Sequence, residues 1–137
     1  MKDMGVISKN KRKATLYYNS ESSIGKQCYG YVQASEKKVL GIDISKTKVT
    51  GTQWVELAEN LNLKVKDLID TNHADFNKIY GDEKPNLESN DWLKVLEKNP
   101  KLVQFPILIL GENYYRLKSG ADFKKYLEPS STGIENQ

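Results

Sequence analysis

The sequence predicts an α/β domain built on a mixed four-stranded sheet covered by helices. Three observations carry this expectation. A β-prone run at residues 14–19 turns into a helical stretch and returns to a second β-prone run at 37–45, an order that favours a parallel crossover. The middle of the chain is helical in its apolar spacing. Near the end, a continuous apolar run, a tight turn and a second strand add antiparallel pairing, and a last helix follows.

The elements follow in order. "ATLYYN" alternates Leu16 and Tyr18 against Tyr17 as a strand does. Asn19, Ser20, Ser22 and Ser23 then break the strand, and their side chains suit the free N–H groups of a starting helix. Ile24, Cys28, Tyr31 and Val32 fall on one helical face, which predicts a helix over 22–36. "KKVLGIDIS" reads as the second strand. "TGTQWVELAENLN" is a helix capped by Thr50 or Thr52, with Trp54, Leu57, Ala58 and Leu61 on one face. "KVKDLIDTNH" is a shorter helical segment, and "ADFNKIYG" is a further turn or two closed by Gly81. "LESNDWLKVLEKNP" begins at a Ser89 or Asn90 cap, presents Trp92, Leu93, Val95 and Leu96, and stops before Pro100. "PILIL" is short and wholly apolar, like a strand buried on both faces. Gly111, Glu112 and Asn113 turn the chain into "YYRL". The final helix, "SGADFKKYLE", takes Ser119 as its cap, packs Phe123, Tyr126 and Leu127, and ends at Pro129.

A chain of 137 residues with 38% hydrophobic and 28% charged residues is expected to form one domain, with its core at about 14–128 and loose tails. No apolar run approaches the ~20 residues that span a bilayer. No secretory leader is expected at "MKDMGVISKNKRKATLYY". One cysteine allows no internal disulfide, so a reducing cytoplasm is the expected compartment. A formal charge of +3 is too mild to predict a nucleic-acid partner. Lys9, Lys11, Arg12 and Lys13 form a basic cluster whose plainer reading is a solvated chain start. With one cysteine and one histidine, no metal site is recognisable. No phosphate loop or dinucleotide fingerprint is present.

Three stretches give the chain a family resemblance: "LYYNSESSIGKQ", "LKVKDLIDTNHADF" and "NPKLVQFPILI". In this order they resemble the strand–Asn–turn–Cys–helix opening, the helix–turn–helix stretch and the Asn-Pro-x-Leu-Ile-x-Arg-Pro-Ile segment of the arsenate reductase (ArsC)/Spx family. That family is glutaredoxin-like and has a thioredoxin fold. The resemblance spans about residues 15–127. It implies a β-α-β unit, a helical insertion after the second strand, and a β-β-α unit. It also implies a cis bond before Pro106, facing the functional site.

The same resemblance locates the chemistry. Relatives keep a cysteine at the start of the first helix, where free N–H groups and the helix dipole stabilise an anion. Ser22 occupies that position here, and Gly25 stands where a second cysteine would fall. A serine hydroxyl does not ionise near neutral pH and forms neither a thiol–arsenate nor a mixed-disulfide intermediate. Cys28 lies six residues on, about 240° around the helix and about 9 Å along it. It shares a face with Ile24, Tyr31 and Val32, as a core residue would. Lys26 falls where the family often has Arg. Two of the family's oxyanion-binding arginines fall near Asp70 and on Phe105, and only Arg116 or Lys118 is placed to replace the third.

The resemblance therefore implies a degenerate site acting as a binding or regulatory module without arsenate reductase activity. Its groove would be bounded by Asn19, Ser20, Ser22, Ser23, Lys26 and Pro106. The expected ligands are a small anion, a small thiol such as glutathione, or an extended peptide. No cofactor is required unless it is glutathione. A protein partner follows by family analogy alone, and neither nucleic acid nor membrane is expected. The alternative is a glutathione- or glutaredoxin-dependent thiol oxidoreductase working through Cys28. A third reading is an interaction protein with an empty groove. A Ser22–His73–Asp75 triad can be drawn, but nothing in the sequence brings its members together.

Overall fold

The strand order β2-β1-β3-β4 gives the sheet two central and two edge strands. The computed structural model describes residues 14–35, 38–81 and 87–127. Along the chain the elements are β1 (Ala14–Tyr18), α1 (Ser23–Ala34), β2 (Val39–Asp43), α2 (Gly51–Asn60), a 3-10 turn (Val65–Leu68), α3 (Ala74–Tyr80), α4 (Ser89–Lys98), a second 3-10 turn (Pro100–Leu102), β3 (Ile107–Leu110), β4 (Asn113–Arg116) and α5 (Gly120–Leu127). β1 pairs with β2 in parallel and with β3 antiparallel, and β3 pairs with β4 as a hairpin. This is the thioredoxin-like arrangement that the sequence predicts, with the helical insertion after the second strand.

The chain divides into two compact units, Met1–Asp43 with Phe105–Gln137, and Ile44–Gln104. The first holds the sheet. Every residue of β1 is buried, Tyr17 included, because β1 lies between two other strands and both its faces are covered. Leu16, Tyr18 and Leu108 on one sheet face pack with Cys28 of α1, with Phe123 of α5 and with Leu117, which follows β4. The hairpin turns on Gly111 and Glu112, with Gly111 at φ +61°, and Asn113 is already paired with Leu110. Ser119 caps α5 by accepting the Asp122 N–H at 3.2 Å. The basic cluster near the chain start, Glu36 and Pro129 lie outside the described residues, as does the Leu127 side chain.

The second unit is helical. Thr50 begins α2 with a reciprocal cap, accepting the Gln53 N–H at 3.2 Å while Gln53 Oε1 accepts the Thr50 N–H at 3.1 Å. Trp54, Leu57 and Ala58 form its buried face. Two expectations are corrected here. The helical stretch over 64–73 contracts to the Val65–Leu68 turn. Beyond it Ile69 forms a β-bridge with Val103, and Asp70 N–H donates to the Leu102 carbonyl at 2.7 Å. These long-range bonds draw the backbone out of helical geometry. Also, α4 is capped from Glu88, one residue before Ser89, with Asp91 Oδ2 accepting the Glu88 N–H at 3.4 Å. Gly81 closes α3 at φ +73° and donates its N–H to the Asn77 carbonyl at 2.7 Å.

Candidate functional site

Strand register brings the candidate residues to one end of the sheet. Tyr18, the last residue of β1, pairs with Asp43 of β2. On the other side Tyr17 pairs with Ile107, so the same register sets Pro106 level with Tyr18. Asp43, Tyr18 and Pro106 thus form a row where β1 ends and the turn into α1 begins. Burial, followed by the Asp43 carboxylate and Tyr29, pushes the Tyr18 phenol up from its ordinary pKa. The Tyr29 ring stacks on Tyr18 at 4.9 Å.

The turn is held by its own side chains. Asn19 is buried, and its Oδ1 accepts the Glu21 N–H at 2.9 Å, an Asx turn. The Asn19 carbonyl accepts both the Ser22 N–H at 3.0 Å and the Ser22 hydroxyl at 2.9 Å. Ser22 is the N-cap of α1, and its Oγ accepts the Gly25 N–H at 2.9 Å. The Ser22 hydroxyl is therefore engaged as donor and as acceptor. Ser20 N–H donates to Asp43 Oδ1 at 3.2 Å, tying the turn to the neighbouring strand. Ser23 and Lys26 are exposed, and Lys26 N–H donates to the Ser22 carbonyl at 2.9 Å.

Of the predicted residues, Asn19 and Ser22 are bonded to each other, Ser20 beside them is bonded to Asp43, and Ser23 and Lys26 stand on the turn of helix that Ser22 begins. Pro106 is buried at the start of β3, but the cis expectation is corrected: no described peptide bond is cis. Its carbonyl accepts the Leu117 N–H at 3.0 Å and extends the hairpin ladder. A trans proline fits as the residue that opens a strand, and an X–Pro bond favours trans by about 0.5–1 kcal/mol.

Three features escaped the sequence reading. Asp43 joins the network because parallel pairing carries it beside the end of β1. Gly25 is packed so tightly that a Cβ there would lie 1.9 Å from the Asn19 carbonyl oxygen. Phe105, where the resemblance implies an arginine, carries the Arg116 guanidinium 5.8 Å above its ring. Strand pairing carries the signal for that contact, since Arg116 is the β4 partner of Ile107. Lys118, the other proposed replacement, is exposed, and its N–H is bonded to Asp122 Oδ2 at 2.9 Å.

Cys28 is fully buried, as its helical face predicts. Its Sγ lies 4.0 Å from the Ser119 carbonyl oxygen. Burial, and secondarily the Asp122 carboxylate, raise the thiol pKa from 9.0 to about 11. A nucleophilic cysteine needs the opposite shift. Iodoacetamide at neutral pH is expected to leave the native protein unlabelled and to label it fully after unfolding. Because the folded pKa is raised, the stability linked to this thiol is intact below pH 9 and is lost as pH rises toward about 11. Cys28→Ala should flatten that part of the alkaline unfolding profile; an equal slope in both proteins would rule the linkage out.

In the helical unit, Asp70 Oδ1 accepts the Asn72 N–H at 2.9 Å, so a turn-forming carboxylate stands where the resemblance implies an arginine. His73 Nδ1 accepts the Asp75 N–H at 3.0 Å and caps α3. With its lone pair taken by this backbone bond, Nδ1 has no proton to donate to a triad carboxylate. Among the described residues no group of three or more His, Cys, Asp or Glu side chains is arranged to hold a metal ion, and no helix is long and apolar enough to cross a membrane.

No family model matches the chain, and no curated protein is significantly similar to it. Solved structures are similar in fold. An arsenate reductase from Vibrio cholerae superposes with a TM-score of 0.70 at 14% identity, over 85% of this chain and 98% of that one. An arsenate reductase (ArsC) related protein from Brucella melitensis gives a TM-score of 0.62 at 14% identity, over 85% of this chain and 95% of that one.

Proposed function

We propose that this chain is an ArsC-like thioredoxin-fold binding module that does not reduce arsenate, and that the start of α1 takes a small oxyanion or small thiol. One observation carries the reading: the Ser22 hydroxyl, at the family's cysteine position, donates to the Asn19 carbonyl and accepts the Gly25 N–H. It serves as a helix cap whose proton goes to a backbone carbonyl and not to a base. The N–H groups of Ser23 and Ile24, in the first turn, remain the donors suited to an anion. An extended peptide is the weaker ligand class, because the Pro106 carbonyl already serves Leu117 and proline has no N–H to offer. A reducing cytoplasm suits a chain whose single cysteine is buried and unpaired. A regulatory protein partner remains an analogy with the family.

The alternative oxidoreductase working through Cys28 has the burial and raised pKa of that thiol against it. The test is an arsenate reduction assay with glutathione and glutaredoxin, alongside amide NMR titrations with phosphate, sulfate and glutathione. Absence of turnover, with shifts centred on the Ser23 and Ile24 amides, is the expected result. Turnover abolished by Cys28→Ser would establish the oxidoreductase instead. Unmoved amides with all three probes would leave an interaction protein with an empty groove.

A further inference from the structure

We propose that β2 is a pairing edge for a second copy of this chain, joined antiparallel about a two-fold axis at Gly41 so that the two sheets become one. The inference is independent of the anion site at the start of α1. β2 is an edge strand whose strand partner is β1. Among the described residues, Val39, Leu40, Gly41 and Ile42 make no backbone hydrogen bond beyond that ladder. An open edge of this kind is a template for another strand. β2 holds no proline and no bulge, and its register with β1 is unbroken over all five residues. Lysines are the usual guards of an edge, but Lys38 precedes β2 and Lys46 follows it, leaving the strand itself unguarded.

Side chains on both faces of the edge suit self-pairing. Val39 packs against the core that includes Cys28 of α1, so Leu40 and Ile42, alternating with it, lie on the opposite sheet face. Leu40 is 62% exposed, more than any other large hydrophobic residue described. On the α1 face Gly41 is exposed, and a Cβ there would lie 3.5 Å from the ring of Tyr29, a residue itself 37% exposed. Two exposed hydrophobic side chains therefore flank one strand from opposite faces. A two-fold axis through Gly41, perpendicular to the sheet, keeps each face on its own side. It sets Gly41 against Gly41, Leu40 against Ile42 and Val39 against Asp43 of the second copy. Each exposed leucine gains an apolar partner, and the two Tyr29 rings come to the same side of the joint. The strand ends that meet carry opposite charges, Lys38 on one copy and Asp43 on the other. That self-complementarity makes a second copy the occupant. Five paired residues and two tyrosines fall well short of the ~800 Å² per partner of a standard interface, so the dimer is weak and concentration-dependent.

The experiment is sedimentation equilibrium on the full chain from about 10 µM to about 1 mM, with amide NMR over the same series. A monomer–dimer equilibrium is expected, with concentration-dependent shifts centred on Val39–Asp43 and Tyr29. In a mixture of isotope-labelled and unlabelled chains, a filtered NOE should join Leu40 of one copy to Ile42 of the other. Leu40→Lys puts a charge on the edge at an exposed position, so the variant should fold as before and dissociate about tenfold more readily. A chain that stays monomeric at the highest concentration, a dimer that Leu40→Lys leaves intact, shifts centred elsewhere, or intermolecular NOEs that do not pair Leu40 with Ile42 would each overturn the proposal.

Discussion

Gly25→Ala should lower the unfolding free energy by about 3 kcal/mol and the melting temperature by roughly 10 °C. The new Cβ would lie 1.9 Å from the Asn19 carbonyl oxygen, 2.7 Å from the Asn19 carbonyl carbon and 2.7 Å from Ser22 Oγ. The first two are backbone atoms, so no flexible side-chain tip can swing aside. That carbonyl is held by the Ser22 N–H and the Ser22 hydroxyl, and moving it breaks both bonds. Each such bond contributes about 1 kcal/mol net. The intrinsic helix preference for Ala over Gly returns about 1 kcal/mol, which is too little to reverse the sign. Gly30 provides the control in the same helix. A Cβ there meets no atom within 4 Å, so Gly30→Ala should stabilise by about 0.5–1 kcal/mol. Denaturant unfolding of both variants decides the matter: similar, small effects would mean that the turn does not press on α1 as described.

That steric contact also shows how far sequence reasoning reached. Helix, strand and hairpin patterns were legible because each is set by local spacing: Leu16 and Tyr18 against Tyr17, or Trp54, Leu57 and Ala58 on one face. The Ser22 cap was legible for the same reason, since capping depends on residues within one turn. What escaped depends on contacts between distant segments. The Ile69–Val103 bridge converts an apparent helix into extended chain, and nothing in "KVKDLIDTNH" announces its partner. Gly25 looks like a vacant cysteine position until the Asn19 carbonyl is seen against it. Arg116 reads as a candidate replacement for a third family arginine until strand pairing carries it over Phe105. The cis expectation at Pro106 came from resemblance alone, and the chain takes the intrinsically preferred trans bond. In the candidate site, then, the residue types were readable and the bonds that commit them were not.

Ser22→Cys, made in a Cys28→Ala background so that one thiol remains, should place a cysteine of lowered pKa at the start of α1. The geometry already favours an acceptor there: Ser22 Oγ receives the Gly25 N–H at 2.9 Å, and a thiolate accepts that bond better than a thiol does. The dipole of α1 acts in the same direction. One feature opposes the shift. The Ser22 hydroxyl also donates to the Asn19 carbonyl at 2.9 Å, and a thiolate has no proton to give and faces that oxygen's lone pairs. The amide bond and the helix end act on the charge itself, whereas the carbonyl can keep its bond from the Ser22 N–H, so the net shift should be downward. The stability consequence has a definite sign. With the folded pKa below the unfolded one, the charged thiol stabilises the fold above the unfolded value, and the gain is lost as pH falls through the folded one. Thiolate ultraviolet absorbance and the pH dependence of alkylation both measure the pKa. On the proposed reading, arsenate reduction is not expected to appear, because Asp70 and Phe105 supply no cation where the resemblance implies arginines and the Arg116 guanidinium rests on the Phe105 ring. A folded variant whose thiol titrates like a free cysteine would remove the electrostatic basis for an anion site at this helix.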